Sequence, residues 1–149
     1  MLITRKIEFD AGHRIPDHRS LCRNVHGHRY ILEVTVEGDL NTKAGASDSG
    51  MVVDFGELKQ MMVKTIDAKW DHSFLVYEGD KVALKALKLF GPKHRTVVLP
   101  VIPTVENLVG LIAEQLEEAM RKRKITAYEL YRVKLWETPN CYAEWTKYL

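Results

Sequence analysis

Apolar and polar residues alternate near both ends of the chain, whereas apolar residues recur every three or four positions in two central stretches. This contrast predicts the elements. Residues 2–9 alternate with Ile3, Ile7 and Phe9 on one face, which reads as a strand. Residues 11–25 contain Gly12, Pro16, Asp17, Ser20 and Asn24 and read as a loop carrying His13, His18 and Cys22. The clearest strand covers 28–37. There Tyr30, Leu32, Val34 and Val36 face one way, and Arg29, Glu33, Thr35 and Glu37 mostly the other. Residues 38–50 are polar and turn-forming, and 51–54 form a short extended run. Asp54 suits a helix N-cap with Glu57 at capping-box spacing, and Phe55, Leu58, Met62 and Ile66 mark the buried stripe.

Trp70, Asp71 and His72 follow as a loop. The lysine-rich stretch 79–95 is uneven, with room for a short helix around 81–90, and 96–101 reads as a brief strand. Pro103 and Thr104 open a second long helix with Val105, Leu108, Val109, Ile112, Leu116 and Met120 as its apolar face. Its basic end, Arg121 to Lys124, complements the helix dipole. Two strands, 127–136 and 141–148, close the chain around the turn Thr138-Pro139-Asn140. The order ββααββ predicts an antiparallel α+β layout in a single domain, 1–149.

Composition narrows the function classes. With 149 residues a normal core can form, and 22 basic against 20 acidic residues leave a net charge of +2. That balance gives no footprint for nucleic acid or an anionic membrane. Cys22 and Cys141 are the only cysteines, so there is no disulfide framework. The first residues, MLITRKIEFD, lack the pattern of a signal peptide, and no apolar run reaches bilayer length. The expectation is a soluble, reduced, cytoplasmic protein.

The chemistry concentrates in Cys22-Arg-Asn-Val-His26-Gly-His28-Arg-Tyr30. Residues two apart on a strand share a face, so His26 and His28 can aim at one point. Gly27 leaves the space between them free of a side chain. A catalytic zinc takes three protein ligands and keeps one position open, and His13, after the first apolar run, is the third candidate. Cys22 either ligates the metal or works beside it, since a thiolate near a cation serves as base or nucleophile. Asp71 can orient His72 only if the loop bends, because neighbours on an extended chain point apart. Glu137, at a strand end, suits an N–C–NH₂ edge that donates two parallel hydrogen bonds. Cys141, at a strand start, reads as structural.

These pieces resemble, together and in order, the 6-pyruvoyl-tetrahydropterin synthase and 6-carboxytetrahydropterin synthase family. The matching segments are Phe9-x-Ala-x-His13, Cys22-x-x-x-His26-Gly-His28-x-Tyr30, Met51-Val-Val-Asp54-Phe55, Asp71-His72, Pro103-Thr104-x-Glu106-Asn107 and Glu137-Thr138. The resemblance implies that His13, His26 and His28 hold a catalytic zinc. It makes Cys22 the base toward the substrate side chain and Asp71 with His72 a relay on the opposite face. Glu137 would anchor the pterin ring, with Thr104 and Glu106 lining that pocket. The implied fold is the tunnelling fold, a four-stranded antiparallel sheet with two helices on one face. Three such subunits close a barrel, two trimers stack, and the sites lie at subunit interfaces.

The implied substrate is 7,8-dihydroneopterin triphosphate. Cleaving its side chain gives 6-carboxytetrahydropterin with acetaldehyde and triphosphate, toward queuosine and related 7-deazapurines. Keeping the side chain gives 6-pyruvoyltetrahydropterin, toward tetrahydrobiopterin. The compact chain favours the carboxy product, and Cys22 argues against the branch that replaces this cysteine by glutamate. Two readings stand outside these branches: a zinc hydrolase using Glu137 or His72, and a non-catalytic metal- or pterin-binding member of the fold. One departure is the long segment 81–101. Its Lys81, Lys85, Lys88, Lys93 and Arg95 either meet a triphosphate or form a solvated insertion.

Overall fold

A computed structural model describes residues 1–148. Two long strands, β1 (Leu2–His13) and β2 (His26–Gly38), lead into α1 (Phe55–Met62). A π-helical turn (Val63–Asp67) and the short α2 (Ala68–Trp70) continue it. Next come β3 (Ser73–Tyr77), α3 (Lys81–Lys88), β4 (Thr96–Leu99), α4 (Val105–Lys122), β5 (Tyr128–Thr138) and β6 (Cys141–Thr146).

The expected four-stranded antiparallel sheet is present as β1-β2-β5-β6, but it forms only part of the observed sheet. The strand order is β4-β3-β1-β2-β5-β6, and β3 joins β1 and β4 in parallel. The sheet is therefore six-stranded and mixed, and the simple ββααββ order is broken by an inserted β3-α3-β4 unit. The physical reason lies in Ser73-Phe-Leu-Val-Tyr77. A parallel strand covered on both faces has no alternation to show, so this run carried no period-two signal. Leu75 enters the main core on one face. Phe74 and Val76 form a second cluster with Ala83 and Leu87 of α3 on the other. The helices are thus not all on one side: α1 and α4 cover one face, and α3 covers the opposite face at the sheet margin.

Strand β1 also runs further than the loop predicted after residue 10. It stays paired to β2 through His13 and gains β3 as a second neighbour at Ala11–His13, so its backbone groups are used on both sides. Its last residue is buried strand, not loop.

The main core joins Phe9, Tyr30, Leu32 and Val34 of the sheet to Leu58, Met61, Met62, Ile66 and Trp70, and to Leu108, Ile112 and Leu116 of α4. Asp54 caps α1, accepting from the Gly56 and Glu57 amides at 2.6 and 3.4 Å. Phe55, expected in the buried stripe, is 52% exposed as the first helical residue, and Met61 joins the stripe instead. Thr104 caps α4 by accepting from the Asn107 amide at 3.4 Å. At its far end Arg121 and Lys122 pair with Glu118, as a solvated basic terminus would.

Because Leu116 is fully buried, Leu116→Ala should cost about 2–5 kcal/mol in urea denaturation. Phe55→Ala should stay within about 0.5 kcal/mol of the parent.

Candidate active site

The register of β1 on β2 gathers the three histidines. His13 lies opposite His26, Gly12 opposite Gly27, and Ala11 opposite His28. All three imidazoles therefore share the core-side face at one end of the sheet. Gly27 is required by the close approach: a Cβ there would sit 2.9 Å from the Ala11 carbonyl oxygen. Backbone cannot yield as a flexible side chain can, so a larger residue would prise the two strands apart between His26 and His28.

Two backbone carbonyls set the ring orientation. His13 Nδ1 donates to the Pro103 carbonyl at 2.8 Å, and His26 Nδ1 donates to the Asn24 carbonyl at 2.8 Å. A carbonyl can only accept, so in each neutral ring the proton is on Nδ1 and the lone pair on Nε2. Those Nε2 atoms lie 3.1 Å apart, and the ligand atoms of His13, His26 and His28 all lie within 4.8 Å of one another. Two facing lone pairs repel unless a proton or cation stands between them. A tetrahedral metal with nitrogens at 2.0–2.1 Å would space them by about 3.3 Å. The donor set and its spacing fit a metal ion, and imidazole nitrogen suits zinc, copper, iron or nickel.

The neutral form of two of the three rings is favoured by burial. Burial, with His26 and His28 adding to it, pushes His13 down to about 4 against the pull of the Pro103 carbonyl. Burial also lowers His28, with Glu137 opposing and His26 adding to the shift. Burial holds the fully enclosed Tyr30 phenol above its ordinary range, so it stays protonated; its hydroxyl is 3.4 Å from His13 Nδ1.

Glu137, at the end of β5, brings Oε1 to 3.7 Å from His13 Nε2 and 3.9 Å from His28 Nε2. The bend that Asp71 and His72 require is also present. His72 adopts φ 54°, a left-handed conformation unusual for a residue with a side chain, and its Nδ1 lies 2.7 Å from Asp71 Oδ2. The pair is clamped to β1 at Asp10, whose amide donates to Asp71 Oδ1 at 2.9 Å while its carbonyl accepts from the His72 amide at 2.7 Å. The Asp10 amide, and then His72, hold the Asp71 carboxyl below its usual range. His72, His26 and His28 line one open cavity of about 590 Å³ with Gly12 and Phe74.

A family model described as 6-pyruvoyl tetrahydropterin synthase matches residues 2–147. The chain belongs to this family. A 6-carboxy-5,6,7,8-tetrahydropterin synthase of Rickettsia bellii is 40% identical over 144 residues, 95% of this chain and 96% of that protein. The synthase of the same name from Haemophilus influenzae is 31% identical over 144 residues, 96% of each chain. Among solved structures, the 6-pyruvoyl tetrahydropterin synthase of Caenorhabditis elegans is similar with a TM-score of 0.65 and 25% identity, over 98% of this chain and 94% of that one. An uncharacterised protein of Wolinella succinogenes shares the fold, with a TM-score of 0.77 at 21% identity, covering 99% and 98%.

The remaining pterin-synthase motif residues are distributed unevenly around the histidines. Cys22 is exposed on a 3-10 turn, Leu21–Arg23, and stands outside the group of three histidines. Thr104 serves as the α4 cap, and Glu106 is exposed in its first turn. Among the described residues, this segment meets the cluster through the Pro103 carbonyl, which accepts from His13 Nδ1. Cys141 is exposed, with Sγ 2.8 Å from the Thr138 hydroxyl. Residue types do not announce the Pro103 and Asn24 carbonyls or the Asp10 backbone groups; of these residues only Pro103 is a named position of the family motif.

Gly27→Ala should weaken metal binding at least tenfold in a calorimetric zinc titration while the far-ultraviolet dichroism stays native. A pH effect follows from His13. Below about 6.5 the unfolded ring takes up a proton that the folded ring refuses until about 4. The metal-free protein should therefore lose about 3 kcal/mol as pH falls through that window. Denaturation midpoints from pH 7 to pH 4 check this, and His13→Gln should flatten the slope.

Proposed function

We propose that this chain is a zinc-dependent 6-carboxy-5,6,7,8-tetrahydropterin synthase, a lyase that converts 7,8-dihydroneopterin triphosphate and one water to 6-carboxytetrahydropterin, acetaldehyde and triphosphate. The observation that carries the reading is the meeting of the His13, His26 and His28 ligand atoms, in a chain 40% identical over nearly its whole length to a relative of that name. Bound zinc would supply a Lewis acid that polarises a substrate oxygen and stabilises developing negative charge.

The chain's own residues divide the remaining work. Glu137 accepts two hydrogen bonds from the N–C–NH₂ edge of the pterin and orients the ring beside the histidines. Thr104 and Glu106 complete that pocket. Cys22 removes a proton from the substrate side chain. His72, its Nδ1 committed to the Asp71 carboxylate, exchanges protons through Nε2 on the other face; the 2.7 Å contact supports this pairing. The product would enter synthesis of queuosine or a related 7-deazapurine in the cytoplasm.

A trimer, or two stacked trimers, is part of the proposal. β3 pairs with β1 only at Ala11–His13, so the first part of β1 has an open edge, and β6 has another. Exposed edges of this length are normally covered, and closing them between subunits makes a barrel. Cys22, Thr104 and Glu106 would then serve sites built by more than one subunit.

The pyruvoyl synthase is the second reading, favoured by the name of the C. elegans structure. Mass spectrometry of the product formed from dihydroneopterin triphosphate separates the two. A carboxylated pterin with acetaldehyde is expected, and a pyruvoylated pterin without acetaldehyde would overturn the carboxy reading. Cys22→Ala should lower kcat by about 10²–10⁴ with zinc content unchanged. Full activity without the thiol would point to a hydrolase instead, and no pterin product at any pH would point to a non-catalytic binder.

A further inference from the structure

The turn that carries Cys22 has no apolar anchor of its own. None of Leu21–Arg23 is buried, the Ser20 side chain does not cap the turn, and Leu21 in it and Val25 just after it are 78% and 73% exposed. Polar ties must therefore hold a thiol that the chemistry needs in one place. One is the Ile15 amide donating to the Cys22 carbonyl at 2.8 Å. Another is Arg14 Nη1 donating to the Arg23 carbonyl at 3.4 Å.

Arg14 follows the metal-ligand candidate His13 directly in sequence. Its guanidinium grips Asp80 as a fork, Nε to Oδ2 at 2.6 Å and Nη2 to Oδ1 at 2.9 Å. The Asp80 side chain is 3% exposed, and Oδ1 also accepts from the Ala83 amide at the start of α3. A planar guanidinium with both fork donors engaged has few free rotations left, so its third donor points in a set direction. Burial of the carboxylate makes the grip costly to release, because an unpaired buried charge has nowhere to find water. One side chain thus joins the end of β1, the start of α3 and the thiol-bearing turn.

We propose that Arg14, locked by Asp80, is a positioning residue for Cys22, fixing the turn that carries the thiol. The inference rests on the reading of Cys22 as the base. Arg14 touches neither substrate nor metal in this role. Its loss should lower kcat while leaving KM and zinc binding in place.

The test uses the full-length, zinc-loaded protein with Arg14→Ala, Arg14→Lys and Asp80→Asn. Arg14→Ala should reduce kcat at least tenfold with KM within threefold and one zinc per chain, and millimolar methylguanidine should restore part of the loss. Arg14→Lys, which keeps charge but not the fork, should not recover it. Hydrogen exchange should quicken by tenfold or more at residues 15–24 in all three variants, with the exchange of α4 unchanged. The rate of Cys22 alkylation by iodoacetamide, with Cys141→Ser as background, should change at least threefold. Unaltered exchange and alkylation in Arg14→Ala would overturn the proposal, as would a kcat within twofold of the parent. Exchange and alkylation need no turnover. If the parent makes no pterin product, the synthase reading fails while these two readouts still decide whether Arg14 holds the turn.

Discussion

Two imidazole lone pairs facing each other across 3.1 Å are the constraint around which the rest of this fold is arranged. Neutral rings so placed would turn away from each other if they were free. They are not free, because each has spent its only proton on a fixed carbonyl, and because the strand register leaves their Cα atoms directly opposed. The backbone bonds thus do what the partners of metal-binding histidines do, which is to choose the tautomer and aim the ring. Burial then supplies neutrality, since a proton on His13 would carry charge into the core margin.

The two long strands deliver this geometry because they are also the most regular part of the chain. Phe9 stacks on Tyr30 with centroids 5.2 Å apart, and Trp70 meets Phe9 edge-on at 6.1 Å. This aromatic layer sits directly below the histidines, with Tyr30 contacting two of their rings. Rigid packing beneath a site is what allows a sub-ångström arrangement of donors to persist. The Asp71–His72 pair is built differently. Asp71 and His72 reach each other only through a left-handed backbone residue, which costs of order 1–3 kcal/mol and persists because Asp10 clamps both ends.

What could be read from residue types follows from these differences. β1, β2, β5 and β6 have one covered face over most of their length and show it as alternation, and α4 shows its apolar stripe and its Thr104 cap. The histidine triad was legible because His-Gly-His and an upstream histidine need only a register to converge. β3 was not, since Phe74, Leu75 and Val76 are buried toward different clusters and leave no polar beat. Nor were the Pro103 and Asn24 carbonyls, since every residue has a carbonyl and only the folded path says which one meets a ring. The bend at His72 was equally hidden, as no glycine announces it.

The small cluster under α3 has a consequence for how this chain can change. Phe74, Val76, Ala83 and Leu87 form a patch that shares no member with the main core, so the helix above it hangs on the sheet like a pendant. Lengthening, shortening or recolouring the surface of that pendant leaves the packing behind the histidines undisturbed. Divergence between relatives in charge and length can therefore accumulate between β3 and β4 at low cost, with Asp80 the residue least free to drift.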